Sequence, residues 1–339
     1  MSRPDWIVIG GGVIGLSAAW ELARSGAAVT VLEAGRIGDG TSARAAGMLL
    51  PELEAAHHPQ LAPLAQESMA LYPGWVADLE AASQQTVDFW PSGCLALAEA
   101  DKFATAWPQV SALPAAELRR FQPPLASGLF AGRVEGAQVD PPKLVKALRL
   151  ACTRAGVQIE ENTAVRSIRR VADRWLGVGT DHGSRLAGRY LLATGAWTAE
   201  LTPELDVDLG VYPVKGQMAE VRAPRGWLPT ILFAPGLYLC PRLDGRIVIG
   251  ATMERAGYDL TVQAETVASL LAGASRLVPA IADWPLTRSW AGLRPGRDGL
   301  PVIEPIAQNA LAAVGHYRNG ILLAPLTAQR LGTLAEQLG

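Results

Sequence analysis

The chain has 339 residues, 49% of them hydrophobic and 18% charged, and its formal net charge at pH 7 is −2. This length suits about two domains with a sizeable core, and the composition excludes disordered and collagen-like proteins. Because the chain has neither a strong net charge nor a basic tail, we expect no nucleic acid and no membrane surface as a partner.

The first predicted elements form a strand–helix–strand unit. Residues 6–9 predict a buried strand, residues 13–25 a helix that ends at Gly26, and residues 28–33 a second strand. A crossover of this length makes the two strands parallel. The chain therefore begins as an α/β protein.

The middle of the chain contains two predicted helices and a turn-rich segment. We expect a helix over residues 61–82, short pieces over residues 86–136, and a helix in "PPKLVKALRLACTRAG", which has proline at its start and ends at Gly156. Strands near residues 157–159 and 190–193 resume the α/β pattern.

The character of the sequence changes after residue 211. Residues 236–252, "GLYLCPRLDGRIVIGAT", predict a hairpin that turns at Asp244 and Gly245. Residues 211–293 as a whole predict a largely antiparallel sheet with one helix over residues 262–277. A strand at residues 311–314 and a helix over residues 321–338 follow.

The cysteines and the lengths of the apolar runs indicate the cellular compartment of the protein. Cys94, Cys152 and Cys240 are far apart and form no metal-binding spacing, so we expect reduced, mostly buried thiols and no metal. No uninterrupted apolar run reaches the roughly 18 residues that span a bilayer. We expect a cytoplasmic protein, and a homo-oligomer is compatible with the sequence.

Three glycines at the start indicate a dinucleotide site. Gly10, Gly12 and Gly15 have G-x-G-x-x-G spacing between a strand and a helix, and Glu33 ends the next strand 18 residues later. The first glycine permits the tight turn, the second lets a pyrophosphate approach the backbone, and the third packs helix against strand. Glu33 suits ribose hydroxyls, and its charge disfavours the 2′-phosphate of NADP.

Two further segments favour FAD over NAD. "GRIGDGTSARAAGML" follows Glu33, and its small residues would let a phosphate–ribityl chain lie close to the backbone. "LLATGAWT", residues 191–198, places Ala193, Thr194 and Gly195 at the end of a later strand. Both slots are those of FAD enzymes whose dinucleotide unit stands at the N-terminus.

With these pieces, the chain resembles the glycine oxidase branch of the D-amino-acid oxidase superfamily of FAD-dependent oxidoreductases. The matching segments include "IVIGGGVIGLSAAWELA", "TSARAAGML", "PVKGQ", "GLYLCPRLDGRIVIGATME", "WAGLRPGRDGLPVI" and "GHYRNGILLAP", in family order. Residues 83–136 match only loosely. The branch is associated with bacterial thiamine biosynthesis.

The resemblance implies a discontinuous α/β fold. A Rossmann-like FAD-binding domain of the two-dinucleotide-motif class would comprise residues 1–83, 140–207 and 294–339. The inserted α+β substrate domain, residues 84–139 and 208–293, would carry the largely antiparallel sheet.

The resemblance also implies the site residues. Arg294 would bind the substrate carboxylate, Tyr238 would donate a hydrogen bond to it, and Arg318 would lie beside the flavin. Met48, Met253 and Gly236 would line the substrate pocket. The expected cofactor-binding positions are Gly10, Gly12, Val13, Ile14, Gly15, Glu33, Ala34, Thr41, Ser42, Ala45, Ala46, Gly47, Met48, Val165, Ala193, Thr194, Gly195, Trp197, Arg294, His316, Arg318, Asn319, Gly320 and Ile321.

The implied activity is two-electron oxidation of glycine, sarcosine or small D-amino acids, with dioxygen as the acceptor and hydrogen peroxide as a product. Gly292 and Arg44 stand near the places where relatives attach the flavin covalently, so FAD should be bound non-covalently. Gly236 replaces a histidine of some relatives, which leaves open an oxidase for larger side chains. A dehydrogenase that passes electrons to a carrier is a further alternative.

The residues by themselves also admit structural roles. Arg294 and Arg297 could each form a structural ion pair with an acidic neighbour such as Asp298 or Glu304. Lys215 is interpreted as a solvated or ion-paired lysine, with a position near flavin N5 as the alternative.

Overall fold

The chain opens with the parallel unit that its glycine fingerprint predicts. The structure is a computed structural model that describes residues 3–118, 120–121, 124–205 and 207–338. The apolar strands β1 (Trp6–Ile9) and β2 (Val29–Leu32) pair in parallel, and α1 (Val13–Arg24) connects them. Eight residues of α1 are buried, which fixes the helix against the sheet.

The remaining elements have the following bounds. The other helices are α2 (Pro51–His57), α3 (Ala62–Ser83), α4 (Phe103–Ala106), α5 (Ala115–Leu118), α6 (Pro141–Arg154), α7 (Thr198–Leu201), α8 (Ala264–Leu277) and α9 (Gly320–Gln337). The other strands are β3 (Met48–Leu49), β4 (Cys94–Glu99), β5 (Leu129–Val134), β6 (Ala137–Gln138), β7 (Gln158–Glu160), β8 (Val165–Val171), β9 (Arg174–Thr180), β10 (Gly183–Arg185), β11 (Arg189–Leu192), β12 (Tyr212–Arg222), β13 (Ile231–Ala234), β14 (Leu237–Pro241), β15 (Arg246–Gly250), β16 (Leu286–Gly296), β17 (Val302–Ala307) and β18 (Ala310–Val314).

The first large sheet has the order β17-β18-β11-β1-β2-β7. Its neighbouring strands are parallel except at the β17–β18 edge, which is antiparallel. Helices α1, α3, α6 and α9 share one apolar core with strands of this sheet. The ends of β1 and β2 face the cavity described below, as expected for the carboxyl ends of parallel strands.

The second large sheet has the order β16-β12-β15-β14-β13-β4-β5. Its neighbours are antiparallel except for the β13–β4 pair. The predicted hairpin is confirmed, because β14 and β15 pair across a turn at Asp244 and Gly245. Helix α8 packs on this sheet through Val267, Leu270 and Ala274. The predicted architecture, an α/β fold with a largely antiparallel second sheet, is therefore confirmed.

Several details lie outside the sequence prediction. Strands β8, β9 and β10 form a separate antiparallel sheet over residues 165–185, a stretch for which no strand was predicted. Part of the turn-rich segment supplies β4 and β5 to the second sheet. The predicted domain boundary at residues 293–294 falls inside β16. The three cysteines are free and buried, as expected. Among the helices of the described residues, none is long and apolar enough to cross a membrane.

Candidate active site

Both large sheets contribute to a cavity of about 810 Å³. This volume lies in the upper part of the range of ordinary ligand pockets. Of the cofactor-binding positions predicted from the sequence, all but Gly15 line this cavity, and Met48, Gly236, Tyr238 and Met253 line it too. Positions that are up to about 300 residues apart in the chain are thus brought to one site.

One end of the cavity is built by the turn between β1 and α1. Gly10 has a φ of +109°, which favours glycine, and the cavity is lined by Gly12, Val13 and Ile14 at the start of α1. Gly15 does not line the cavity, and an added Cβ there would lie 1.9 Å from the carbonyl oxygen of Gly10, so the close packing of helix and turn requires glycine. The first turn of α1 contains no acidic residue, so the positive end of the helix dipole is available to an anion.

Glu33 lies beside this turn with its carboxylate held in place. Its Oε2 accepts a hydrogen bond from the N–H of Gly11 at 2.7 Å, and its Oε1 accepts one from Gly35 at 2.9 Å. A carboxylate has about four acceptor positions, so both oxygens keep capacity for ribose hydroxyls. The backbone thereby orients the group that the sequence predicts to bind a nucleoside.

Residues 41–47 connect this end of the cavity to the other. The Oγ of Ser42 accepts a hydrogen bond from the N–H of Val13 at 2.8 Å, which ties the segment to the start of α1. The hydroxyl of Thr41 donates to the carbonyl of Leu293, the residue before Arg294. Apart from Arg44 the side chains of this stretch are small, and all of its residues except Ala43 line the cavity.

At the far end, Arg294 and Tyr238 each lie over a glycine of a neighbouring strand. A Cβ at Gly216 would lie 2.6 Å from Cζ of Arg294, and a Cβ at Gly250 would lie 2.6 Å from Cζ of Tyr238. Gly216 belongs to β12, and Gly250 is paired with Tyr238 across β14 and β15. The two side chains can lie flat on the sheet only because these positions have no side chain.

The guanidinium of Arg294 has backbone partners and no acidic one among the described residues. Its Nη1 donates to the carbonyl of Thr252 at 3.0 Å and to that of Lys215 at 3.4 Å. Among the described residues Arg294 forms no ion pair with Asp298 or Glu304, so the structural alternative is wrong for this arginine; Asp298 accepts a hydrogen bond from the hydroxyl of Tyr212. Arg297 likewise donates to backbone carbonyls of Leu209, Asp298 and Leu300. The positive charge of Arg294 is therefore available to an anionic ligand in the cavity.

The phenol of Tyr238 stays protonated at neutral pH. Desolvation raises its pKa to about 12, even though the nearby positive charges of Arg294, Arg242 and Arg318 act in the opposite direction. Its hydroxyl contacts the Sδ of Met218 at 3.4 Å, which is a weak acceptor. Tyr238 can thus donate a hydrogen bond to a ligand that also contacts Arg294.

The turn before α9 presents Arg318 with its charge compensated. The Nη2 of Arg318 lies 2.7 Å from Oε1 of Glu54, and the amide of Asn319 donates to Oε2 of the same carboxylate at 3.2 Å. Burial acts to lower the pKa of Arg318, but the Glu54 carboxylate raises it overall. Arg318 is therefore fixed in place and carries little net charge toward the cavity.

His316 is buried beneath the same turn and neutral. Burial lowers its pKa to about 3, and its Nε2 lies 3.1 Å from the hydroxyl of Thr327 on α9. The expectation that this histidine packs under the cofactor remains a prediction; its contact with α9 supports a structural role.

Sequence reasoning missed several residues of the site. Glu54 carries no local motif, since its partner Arg318 is 264 residues away in the chain. Trp107 and Phe233 form an aromatic wall with Tyr238: the ring centroids of Trp107 and Phe233 are 5.8 Å apart, and those of Phe233 and Tyr238 are 6.3 Å apart. The glycines of "PVKGQ" and "RIVIGAT" were the one available signal for the positions under Arg294 and Tyr238.

The residues present fit FAD. The glycine turn, the start of α1 and Glu33 suit a pyrophosphate and a ribose, while the open backbone of residues 41–47 suits the chain between the pyrophosphate and a ring system. None of the described residues that line the cavity is a cysteine, and Arg44 is occupied with the carbonyls of Asp39 and Ala291.

Comparisons with known proteins agree with this geometry. A family model described as DAO, FAD dependent oxidoreductase, matches residues 5–334. The glycine oxidase of Geobacillus kaustophilus is 36% identical over 99% of this chain and 93% of its own length. A bifunctional protein ThiO/ThiG of Synechocystis sp. is 37% identical over 97% of this chain, which spans about half (51%) of that relative.

Solved structures show the same relationship. The crystal structure of the Geobacillus kaustophilus glycine oxidase superposes with a TM-score of 0.93, covering 99% of this chain and 95% of its own. The glycine oxidase of Bacillus cereus, 32% identical, has a TM-score of 0.91 with the same coverage.

Proposed function

This chain belongs to the DAO family of FAD dependent oxidoreductases, and we propose that it oxidises glycine, sarcosine or small D-amino acids. In this reaction an amino acid, dioxygen and water give the keto acid, ammonia or an amine, and hydrogen peroxide. FAD bound at this site would supply the two-electron acceptor for oxidation of the substrate carbon, with dioxygen as the final electron acceptor. The relatives named glycine oxidase support this activity, and the three buried thiols support a cytoplasmic location.

The observation that carries the proposal is the guanidinium of Arg294, which has no acidic partner among the described residues, beside the protonated phenol of Tyr238. A carboxylate on the planar fork of Arg294 would accept two parallel hydrogen bonds, and Tyr238 would donate another. Holding one end of an amino acid in this way restricts the orientations available to its Cα–H bond. Such positioning contributes several kcal/mol to the barrier reduction in enzymes.

The other charged groups of this end restrict the substrate further. Since Glu54 already compensates Arg318, Arg294 is the cation that remains for a substrate carboxylate among the described residues of this end. The aromatic wall of Trp107, Phe233 and Tyr238 favours hydrogen or an apolar group at the substrate carbon or nitrogen. We therefore expect monocarboxylates with uncharged side chains to be preferred over dicarboxylates.

A second candidate is an oxidase for D-amino acids with larger apolar side chains. It is favoured by Gly236, where an added Cβ would have nothing within 4 Å, so the entrance is open at that point. The two candidates differ in the ratio of kcat/KM for glycine to that for D-phenylalanine. Replacing Trp107 by alanine should shift this ratio toward D-phenylalanine in either case.

The test begins with the purified protein reconstituted with FAD. A yellow protein that releases peroxide with glycine, sarcosine or D-alanine supports the proposal. Reduction of the flavin by these compounds without peroxide in air would instead identify a dehydrogenase. A protein that binds no FAD, or whose flavin is reduced by none of the amino acids, would refute the proposal.

The role of Arg294 is tested by Arg294→Leu, with Arg294→Lys as the matched variant that keeps the charge. Charge-assisted hydrogen bonds contribute about 1.5–3 kcal/mol each, so loss of two should lower kcat/KM by about 100-fold or more. Arg294→Lys should retain part of this because its charge remains. Full turnover in Arg294→Leu would show that the carboxylate binds elsewhere.

A further inference from the structure

The segment between β15 and α8, residues 251–263, forms part of the wall of the cavity, and we name it the strap. Three of its residues, Ala251, Met253 and Leu260, line the cavity, and Met253 is also 63% exposed to solvent. Tyr258 of the strap stacks on Trp197 of the cofactor end, with 6.3 Å between ring centroids. The strap therefore touches both ends of the site.

The strap also supplies an acceptor that orients Arg294. The carbonyl of Thr252 receives the shorter of the two hydrogen bonds from Nη1 of Arg294, at 3.0 Å. Arg294 otherwise rests on Gly216 and on the more distant carbonyl of Lys215. Any movement of Thr252 would therefore change the direction in which the guanidinium points.

Gln217 of β12 fastens both ends of the strap from inside the protein. Its side chain is fully buried, its Nε2 donates to Oε1 of Glu254 at 2.9 Å, and its Oε1 accepts from the N–H of Gln263 at 2.8 Å. Its backbone N–H donates to the hydroxyl of Thr252 at 2.9 Å, and that hydroxyl in turn donates to Glu254. One amide thus links the first and last parts of the strap.

Lys215 fastens the middle of the strap. Its side chain is 1% exposed, and its Nζ lies 2.6 Å from Oδ2 of Asp259 and 4.0 Å from Oε2 of Glu254. Its backbone exchanges two hydrogen bonds of 2.9 Å with Glu254. A lysine this buried needs a fixed acidic partner, because an uncompensated buried charge is costly. It does not line the cavity, so its charge acts on the strap rather than on a ligand.

We propose that Lys215 and Gln217 are positioning residues that hold the strap closed over the site and thereby keep Thr252 and Arg294 in their carboxylate-binding arrangement. This gives a role to Lys215 and Gln217, the residues of "PVKGQ" that flank the glycine under Arg294. The inference rests on the proposed carboxylate-binding role of Arg294. If the strap is closed in only a fraction of the molecules, the apparent dissociation constant for the substrate equals the intrinsic constant divided by that fraction.

The test removes the charge of Asp259, which is half exposed and does not line the cavity. We expect Asp259→Asn to raise the KM for glycine or D-alanine about five- to tenfold, as expected for one weakened charge-assisted interaction, with kcat and FAD content little changed. Asp78→Asn, which removes the acid of a surface ion pair with Arg24, is the matched control and should leave KM unchanged.

Hydrogen–deuterium exchange of the strap is the second readout, and it needs no substrate. Residues 251–263 of the FAD-loaded protein should exchange faster in Asp259→Asn and in Lys215→Met, and Lys215→Arg should restore protection. Unchanged exchange would overturn the fastening role. Faster exchange with unchanged KM would overturn the positioning of Arg294. If the wild-type protein oxidised no amino acid, the proposed function would fail while the exchange experiment still decided the fastening role.

Discussion

Adding a single methyl group under Arg294 should impair the substrate site without unfolding the protein. Gly216 lies in β12 with ordinary backbone geometry, so alanine can adopt its conformation. Its Cβ would lie 2.6 Å from Cζ of Arg294, and the other atoms within 4 Å that it approaches most closely also belong to this guanidinium. The group that must move is the free end of a flexible side chain, which yields at little cost in stability.

The size of the effect follows from the distance to be gained. Ordinary van der Waals contact begins at 3.4 Å, so Cζ of Arg294 must shift by about 1 Å. A displacement of this size can cost about 100-fold in rate, equivalent to about 2.7 kcal/mol of transition-state stabilisation. The shift would also weaken the hydrogen bond from Arg294 to Thr252, and both changes act in the same direction.

The assay compares kcat/KM for glycine and D-alanine in Gly216→Ala and the wild-type protein, together with flavin content and the melting temperature. Gly74→Ala is the matched control, since an added Cβ at Gly74 has nothing within 4 Å. We expect a loss of about 100-fold in Gly216→Ala, full flavin content and no effect of the control. Wild-type kcat/KM in Gly216→Ala would refute the reasoning that the position of this guanidinium limits turnover.

Further predictions concern Tyr238, Arg318 and His316. Gly250→Ala should displace the Tyr238 phenol and lower kcat/KM without loss of flavin; unchanged kinetics would contradict a role for the phenol. Glu54→Gln should leave the charge of Arg318 uncompensated and so raise the ratio of kcat/KM for D-aspartate to that for D-alanine. An unchanged ratio would contradict the claim that Glu54 keeps Arg318 from binding a second carboxylate. Because burial lowers the pKa of His316 from 6.5 to about 3, folding excludes a proton that the unfolded chain binds. The stabilisation from neutral His316 is therefore complete above pH 6.5 and declines as the pH falls toward 3. Between pH 7 and 5.5 the free energy of unfolding of the wild type should fall by about 1 kcal/mol more than that of His316→Gln; equal slopes in denaturant titrations would count against this.

Most of the fold was accessible from the sequence because its signals are local. The strand, glycine turn, helix and second strand of residues 6–33 follow one another within a single unit, and the hairpin around Asp244 and Gly245 is marked by its turn. Strands β8, β9 and β10 were missed because β8 is mostly polar or half-exposed on both faces, which leaves no clear alternation of apolar residues. The family resemblance, which the comparisons confirm, supplied the order of the pieces.

The candidate site was accessible only in part. The cofactor end consists of backbone features whose residue types are nearly dictated by geometry, such as Gly10, whose conformation and closeness to Ala193 leave no room for a side chain. At the substrate end the resemblance pointed to Arg294 and Tyr238, but the sequence did not show which residues pack around these two side chains. Trp107 stands in the segment that matches the family only loosely, so no motif marked it.

By itself, the sequence determined that this protein is an α/β dinucleotide-binding protein with a second, antiparallel sheet, since periodicity and turn residues act over a few neighbouring positions. Only the tertiary structure decided which charges are free. Glu54 neutralises Arg318 from 264 residues away, whereas Arg294 finds only backbone carbonyls among the described residues. Ion pairs of this kind are set by how distant elements pack, and packing, unlike periodicity, leaves no pattern in either partner's local sequence.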